Sequence, residues 1–189
     1  LTMTNAQAAI TITAASQGWT YDGNAHANPL VTVTEGALLP GDSLVATATG
    51  SVTDVSDTHS GNNPIALGYQ IMHGNEDVTA NYAITTVAGT LTINPKAVTV
   101  TAQDKAFIYT GTAQSWDKYD VDGLVGTDAL TAVVEGSITF PSESPVVNEV
   151  KSHTFTTGTP GNYTVSYVNG ELTMTNAQVA ITITAASQG

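Results

Sequence analysis

The chain has 189 residues, of which 41% are hydrophobic and 11% charged, and a formal net charge of −12 at pH 7. That leaves enough apolar side chains for a packed core and too few charges for wholesale disorder. Sixteen acidic residues against four Lys and no Arg disfavour nucleic acid and anionic membrane surfaces as partners; the lack of Cys excludes disulfides, thiolate metal sites and a thiol nucleophile; and no apolar run approaches the roughly 18 residues that a membrane span requires.

Thirty-two Thr and 17 Gly point to an all-β protein rich in turns, because Thr is β-branched and suits strands with one wet face. Residues 1–18 read LTMTNAQAAITITAASQG, and residues 172–189 read LTMTNAQVAITITAASQG. Seventeen of the 18 positions agree at a spacing of 171, Ala8 against Val179 being the exception. So long and faithful a duplication reads as part of a tandem array. Residues 1–8 are then the tail of a preceding repeat and residues 177–189 the start of the next. Residues 1–4 and 181–184 are expected to be strands without their own sheets, extending from the ends or pairing with a neighbouring chain.

Two related modules lie between, 9–95 and 96–176. The first opens on a strand in which Ile10 and Ile12 alternate with Thr11 and Thr13. It turns at Tyr21-Asp22-Gly23-Asn24 and at Pro40-Gly41-Asp42, with at most one turn of helix at Asp42–Val45. A polar loop spans 54–63, and Asn81-Tyr82-Ala83-Ile84 and Gly89-Thr90-Leu91-Thr92-Ile93 close the module. Asn94-Pro95-Lys96 is a short, stiff joint and favours an end-to-end arrangement. The second module repeats the plan: Val98 and Val100 between Thr residues, Tyr109-Thr110-Gly111, at most a turn of helix at Asp128–Leu130, then Asn162-Tyr163-Thr164-Val165 and Gly170-Glu171-Leu172-Thr173-Met174. The offset between matching segments falls from 88 to 81, so the second module has the shorter loops. Over 165–174, Asn169-Gly170 between two alternating runs predicts a hairpin. Trp19 and Phe107 hold corresponding positions and, with Tyr82 and Tyr163, are predicted to pack in the cores.

The succession of a Thr/Val strand, Tyr-x-Gly, Gly-Leu-x-Gly-x-Asp-x-Leu, Asn-Tyr-x-Ile/Val and Gly-x-Leu-Thr-Ile resembles the MBG and YDG-type repeats of large bacterial surface adhesins. It stands here as Tyr21-Asp22-Gly23, Asn81-Tyr82-Ala83-Ile84 and Gly89-Thr90-Leu91-Thr92-Ile93. In the second module it stands as Tyr109-Thr110-Gly111, Gly123-Leu124-Val125-Gly126-Thr127-Asp128-Ala129-Leu130, Asn162-Tyr163-Thr164-Val165 and Gly170-Glu171-Leu172-Thr173-Met174. The first module departs from the pattern at Leu38-Leu39-Pro40-Gly41-Asp42, which lacks the leading Gly-Leu. The resemblance implies small β-grasp-like or immunoglobulin-like modules in a secreted or cell-wall protein, at the surface of a bacterium.

Few residues carry site chemistry. His26, His59, His73 and His153 form no metal-binding pair. Glu76-Asp77 and Asp120-x-Asp122 are the closest carboxylate pairs, but neither recurs in the other module, so a solvated surface explains them better than glycoside chemistry. No GxSxG is present, and no enzymatic activity is expected. Asp54, Asp57, Asn62 and Asn63 supply oxygen donors that could hold calcium, against an Asx-rich turn; no other cofactor is expected. Trp116, aligned near Asn28, is unmatched by an aromatic in the first module. With Tyr119 it could form a sugar-stacking platform, against simple edge packing. Lys105, Lys118 and Lys151 are candidates for a Lys–Asn or Lys–Asp crosslink.

Two functions of different class follow. The first is a stalk or spacer segment that projects a distal binding region, its partners being the adjacent repeats. The alternative is an adhesion module whose partner is a mucin-type glycan or a host protein, with Trp116 and Tyr119 as the binding residues.

Overall fold

The computed structural model describes residues 7–178 and 180–184. Among these the regular elements are 15 β-strands and four short 3-10 turns, with no α-helix. The chain divides into two compact units, Leu1–Lys96 with Thr159–Thr164, and Ala97–Gly158 with Val165–Gly189. The short segment Thr159–Thr164 therefore goes with unit 1, although its sequence belongs to the second repeat.

Unit 1 contains β1 (Ala8–Ala14), β2 (Gln17–Thr20), β3 (Val31–Glu35), β4 (Asp42–Val45), β5 (Gln70–His73), β6 (Glu76–Asp77), β7 (Tyr82–Val87) and β8 (Leu91–Asn94). They form sheets of order β3-β1-β7, β2-β8 and β4-β5-β6. In β1 the period-two pattern sends Ile10, Ile12 and Ala14 inward, at 3%, 0% and 1% exposure. Its Thr residues face out and bond across the pair: Thr11 Oγ1 donates to Glu35 Oε2 at 2.9 Å, and Thr13 Oγ1 lies 2.7 Å from Thr34 Oγ1. Ile10, Ile12, Ile71 and Tyr82 form the buried cluster of this unit. Each such side chain contributes about 1.5–3 kcal/mol on removal from water.

β1 pairs parallel with β7, and β2 parallel with β8. The chain thus runs side by side with itself across two successive sheets. The step from β7 to β8 needs a residue without a side chain, since a Cβ on Gly89 would stand 2.1 Å from the Ala15 carbonyl oxygen.

Unit 2 contains β9 (Lys96–Ala102) from Ala97 on, β10 (Lys105–Ile108), β11 (Tyr119–Asp122), β12 (Ala129–Glu135), β13 (Val146–Thr157), β14 (Tyr163–Val168) from Val165 on, and β15 (Gly170–Thr175). The sheets are β11-β9-β14 and β10-β15-β13-β12. The first reproduces β3-β1-β7 with equivalent strands, and β9 has the burial pattern of β1 position by position, as β14 has that of β7. Phe107, Tyr109, Trp116 and Val146 pack on the buried Ile138, Leu172 and Met174. Where unit 1 joins Asn63 to Gly89 by a single bridge, unit 2 runs the 12-residue β13 alongside β15, with Asn148 opposite Gly170.

Three local expectations are corrected. Residues 165–174 are no hairpin: β14 and β15 lie in different sheets. Asn169-Gly170 carries the chain between them, and Gly is required there because a Cβ would come within 2.5 Å of the Ala102 carbonyl oxygen. Asp42–Val45 is the strand β4, held by antiparallel pairing to β5. The third concerns 128–130, which runs into β12 from Ala129. In both places sheet pairing outweighs the local turn preference. Tyr82 and Tyr163 are buried as expected, at 4% and 8% exposure.

Residues 180–184 repeat the sequence of residues 9–13 yet form no strand, and Ile181 and Ile183 are 81% and 90% exposed. Residues 1–4 lie outside the described residues.

Candidate functional site

Trp116 sits between β10 and β11 in unit 2. The Lys105 ammonium stands 4.4 Å from its ring centroid, a cation–π contact, and its indole Nε1–H donates to Gln103 Oε1 at 3.4 Å. The ring packs against the Ile138–Leu172–Met174 cluster. It lines an open cleft of about 500 Å³ with Ser115, Asp117, Val134, Glu135 and Lys151. Tyr119 lines a different cleft, of about 600 Å³, with Lys118, Ala132 and Val133. Asp117 and Val134 border both. The two aromatics therefore lie on neighbouring clefts rather than one platform. Lys118 pairs with Asp117 at 3.0 Å, which lowers the Asp117 pKa, and Lys151 pairs with Glu149, which raises the Lys151 pKa. Of the three candidate crosslinking lysines, Lys105 lies over Trp116, Lys118 pairs with Asp117 and Lys151 pairs with Glu149.

Asp54, Asp57 and Asn62 are brought together around one 3-10 turn, Val55–Asp57, but their polar atoms are directed at protein partners, and the Asn63 side chain bonds elsewhere, to Gly50, Ala15 and Asn28. Asp57 Oδ2 accepts from the Asp54 and Thr53 backbone N–H groups at 2.9 and 2.8 Å, and these bonds hold its pKa below the usual carboxylate range. Glu143 does the same in unit 2, accepting from Phe140 and Thr139 at 2.8 and 2.7 Å. Asn62 Oδ1 accepts from Leu91 N–H at 2.6 Å, and its Nδ2 donates to the Leu91 and Asp57 carbonyls. Asp54 Oδ1 accepts from Asn162 Nδ2 at 2.6 Å, within unit 1. The arrangement staples a loop to β8. Among the described residues, no three His, Cys, Asp or Glu side chains converge as a metal site.

Asn63 is fully buried and holds three segments. Its Oδ1 accepts from Gly50 N–H at 2.9 Å, and its Nδ2 donates to the Ala15 and Asn28 carbonyls at 2.9 Å each. In unit 2 the buried Asn148 donates through Nδ2 to the Gln103 carbonyl at 3.0 Å. Gly50 and Gly136 make room for these two side chains, since a Cβ on either would lie 2.7 Å from the respective Oδ1.

Two side-chain clusters were not singled out from sequence. Tyr82 donates to Asp42 Oδ2 at 2.5 Å, His73 Nδ1 lies 2.6 Å from Asp42 Oδ1, and Leu39 N–H donates to the Tyr82 oxygen at 2.8 Å. The Tyr82 hydroxyl, then His73, lower the Asp42 pKa, while burial followed by Asp42 raises that of Tyr82. This network ties β4, β5 and β7 together. In unit 2, His153 Nδ1 lies 2.6 Å from the Tyr167 hydroxyl, and the His153 ring stands edge-on to Phe155 and Tyr167. Period two along β13, which puts His153 and Phe155 on one face, was the available signal.

Among the described residues no helix is long and apolar enough to cross a membrane. No curated protein and no solved structure matches the chain. Residues 98–173, nearly the whole second module, match the family model of the MBG domain, YGX type, which is consistent with an MBG-type module of surface proteins in that stretch.

Proposed function

We propose that this chain is a non-enzymatic spacer segment of a bacterial surface adhesin, extracellular or in the cell wall, in which tandem modules carry a distal binding region. The observation that carries the reading is the duplication of residues 1–18 at 172–189 with 17 of 18 identities. The three-stranded sheet and burial pattern that the two units share support it, as does the nature of what they share: buried latches and sheet-switching glycines rather than an open cleft. Trp116 packs on core side chains with Lys105 over its ring, as a packing residue would. Replacing the 171-residue repeat in the parent protein with unrelated β-modules of equal length should leave surface attachment intact. Loss of attachment with the replacement still displayed would refute the spacer role.

A second reading rests on the cleft beside Trp116, where Ser115, Asp117, Glu135 and Lys151 supply polar groups beside an aromatic edge. Such a lining suits a glycan. In that reading the repeat itself is the adhesion module for a mucin-type glycan or host protein.

A further inference from the structure

Asn169-Gly170, which carries the chain from β14 to β15, is the only Asn-Gly step in the sequence. The first module has Ala88-Gly89 at the corresponding place, so whatever the Asn does belongs to unit 2 alone. Three features bear on its side-chain amide. The residue is exposed, which leaves water free access to Nδ2. Its Oδ1 accepts from the Val150 N–H at 3.0 Å; a backbone donor there fixes which end of the amide is oxygen and polarises the carbonyl. The following residue has no side chain to shield its nitrogen from Asn169 Cγ. Gly170 also stands opposite Asn148 in the last pair of the β13–β15 ladder, and ladder ends open at little cost.

We infer that Asn169 is a site of spontaneous deamidation, with the Val150 N–H as its oxyanion donor. The Gly170 nitrogen gives its proton to water and attacks Asn169 Cγ. A C–N bond forms, and the negative charge moves onto Oδ1, where the Val150 N–H holds it. As the charge returns, the Cγ–Nδ2 bond breaks, and Nδ2 takes up a proton and leaves as ammonia. The product is a five-membered succinimide. Water opens that ring in one of two ways. Addition at Cγ gives an aspartate on the ordinary backbone; addition at the main-chain carbonyl carbon gives an isoaspartate, with the backbone running through the former side chain. The net change is amide plus water to acid plus ammonia. One oxyanion donor is worth about 10²–10³ in rate, which offsets the opening of the last ladder pair. The isoaspartate lengthens the backbone where there is no slack, since even a Cβ on Gly170 would stand 2.5 Å from the Ala102 carbonyl oxygen. β15 then shifts and exposes Leu172 and Met174, which are 0% and 4% exposed in the intact chain.

The experiment incubates the 189-residue chain and the free peptide of residues 165–174 in mildly alkaline buffer and follows both by intact mass and peptide mapping. The expected result is one conversion of amide to acid, at Asn169, with isoaspartate among the products and the other Asn residues intact. Its rate in the folded chain should lie within about tenfold of that in the peptide, because the donor compensates for the fold. Asn169→Gln should abolish the conversion. The converted chain, separated by its extra negative charge, should show a lower urea midpoint for unit 2 and an unchanged one for unit 1. Conversion a hundredfold or more slower in the folded chain than in the peptide, or conversion first at another Asn, overturns the inference. Neither result bears on the spacer reading.

Discussion

At the scale of single residues, the two units are held by small polar side chains that have left the surface. Asn63 makes three hydrogen bonds in full burial, and each buried group left unsatisfied costs about 1–3 kcal/mol. Asn63→Ala is therefore expected to destabilise unit 1 by about 3 kcal/mol or more, and Asn148→Ala, which loses one bond, by less; urea titration of the two variants measures the difference. Gly89→Ala forces a Cβ onto the Ala15 carbonyl oxygen and should cost about 1–3 kcal/mol or more. The acidic side is equally local. Bonds from Asn24 N–H, then His26, depress Asp22 to about 2, and Asp42, Asp57, Asp77 and Glu143 are lowered as well. A carboxylate with a depressed folded-state pKa stabilises the fold fully above its unfolded value and loses that contribution as pH falls through the folded one. In that window the unfolded chain binds more protons, so stability should rise with pH between about 2 and 4. Urea midpoints that stay flat over this range would show these bonds to be without thermodynamic effect. Asn63 was read from sequence as an oxygen donor of a polar loop. Its burial was hidden because Asn is usually a surface residue.

At the scale of elements, β1 and β9 were legible because alternation is local and the same in both copies. Pairing was not. Asn169-Gly170 has the composition of a hairpin turn, but the strands it joins belong to different sheets, because β14 lies beside β9 while β15 pairs with β10, parallel, and with β13. Composition of a dipeptide reports which φ and ψ are cheap, not which sheet the next strand will find. The contrast between β1 and residues 180–184 makes the same point with one sequence. Ile12→Ala should cost about 2–5 kcal/mol, and Ile183→Ala should leave the stability of the 189-residue chain unchanged; thermal melts of both variants check this. Trp116 and Tyr119 were paired in the sequence reading by their closeness in sequence. They open on separate clefts because Trp116 precedes β11 and turns towards the Ile138 cluster, whereas Tyr119 is its first residue.

At the scale of the molecule, both units share one three-stranded sheet plan, and the features they share are structural ones. The groups that could touch a ligand, Trp116 and the His153–Tyr167–Phe155 cluster, occur only in unit 2. A binding function of the shared fold would place its chemistry in both. The account therefore turns on whether the cleft at Trp116 recognises anything. The most direct measurement is binding of the 189-residue chain and its Trp116→Ala variant to an array of mucin-type glycans. The account predicts no specific binding by either protein; low-micromolar binding by the parent chain, lost in a Trp116→Ala variant that keeps its β-sheet circular dichroism, would contradict it.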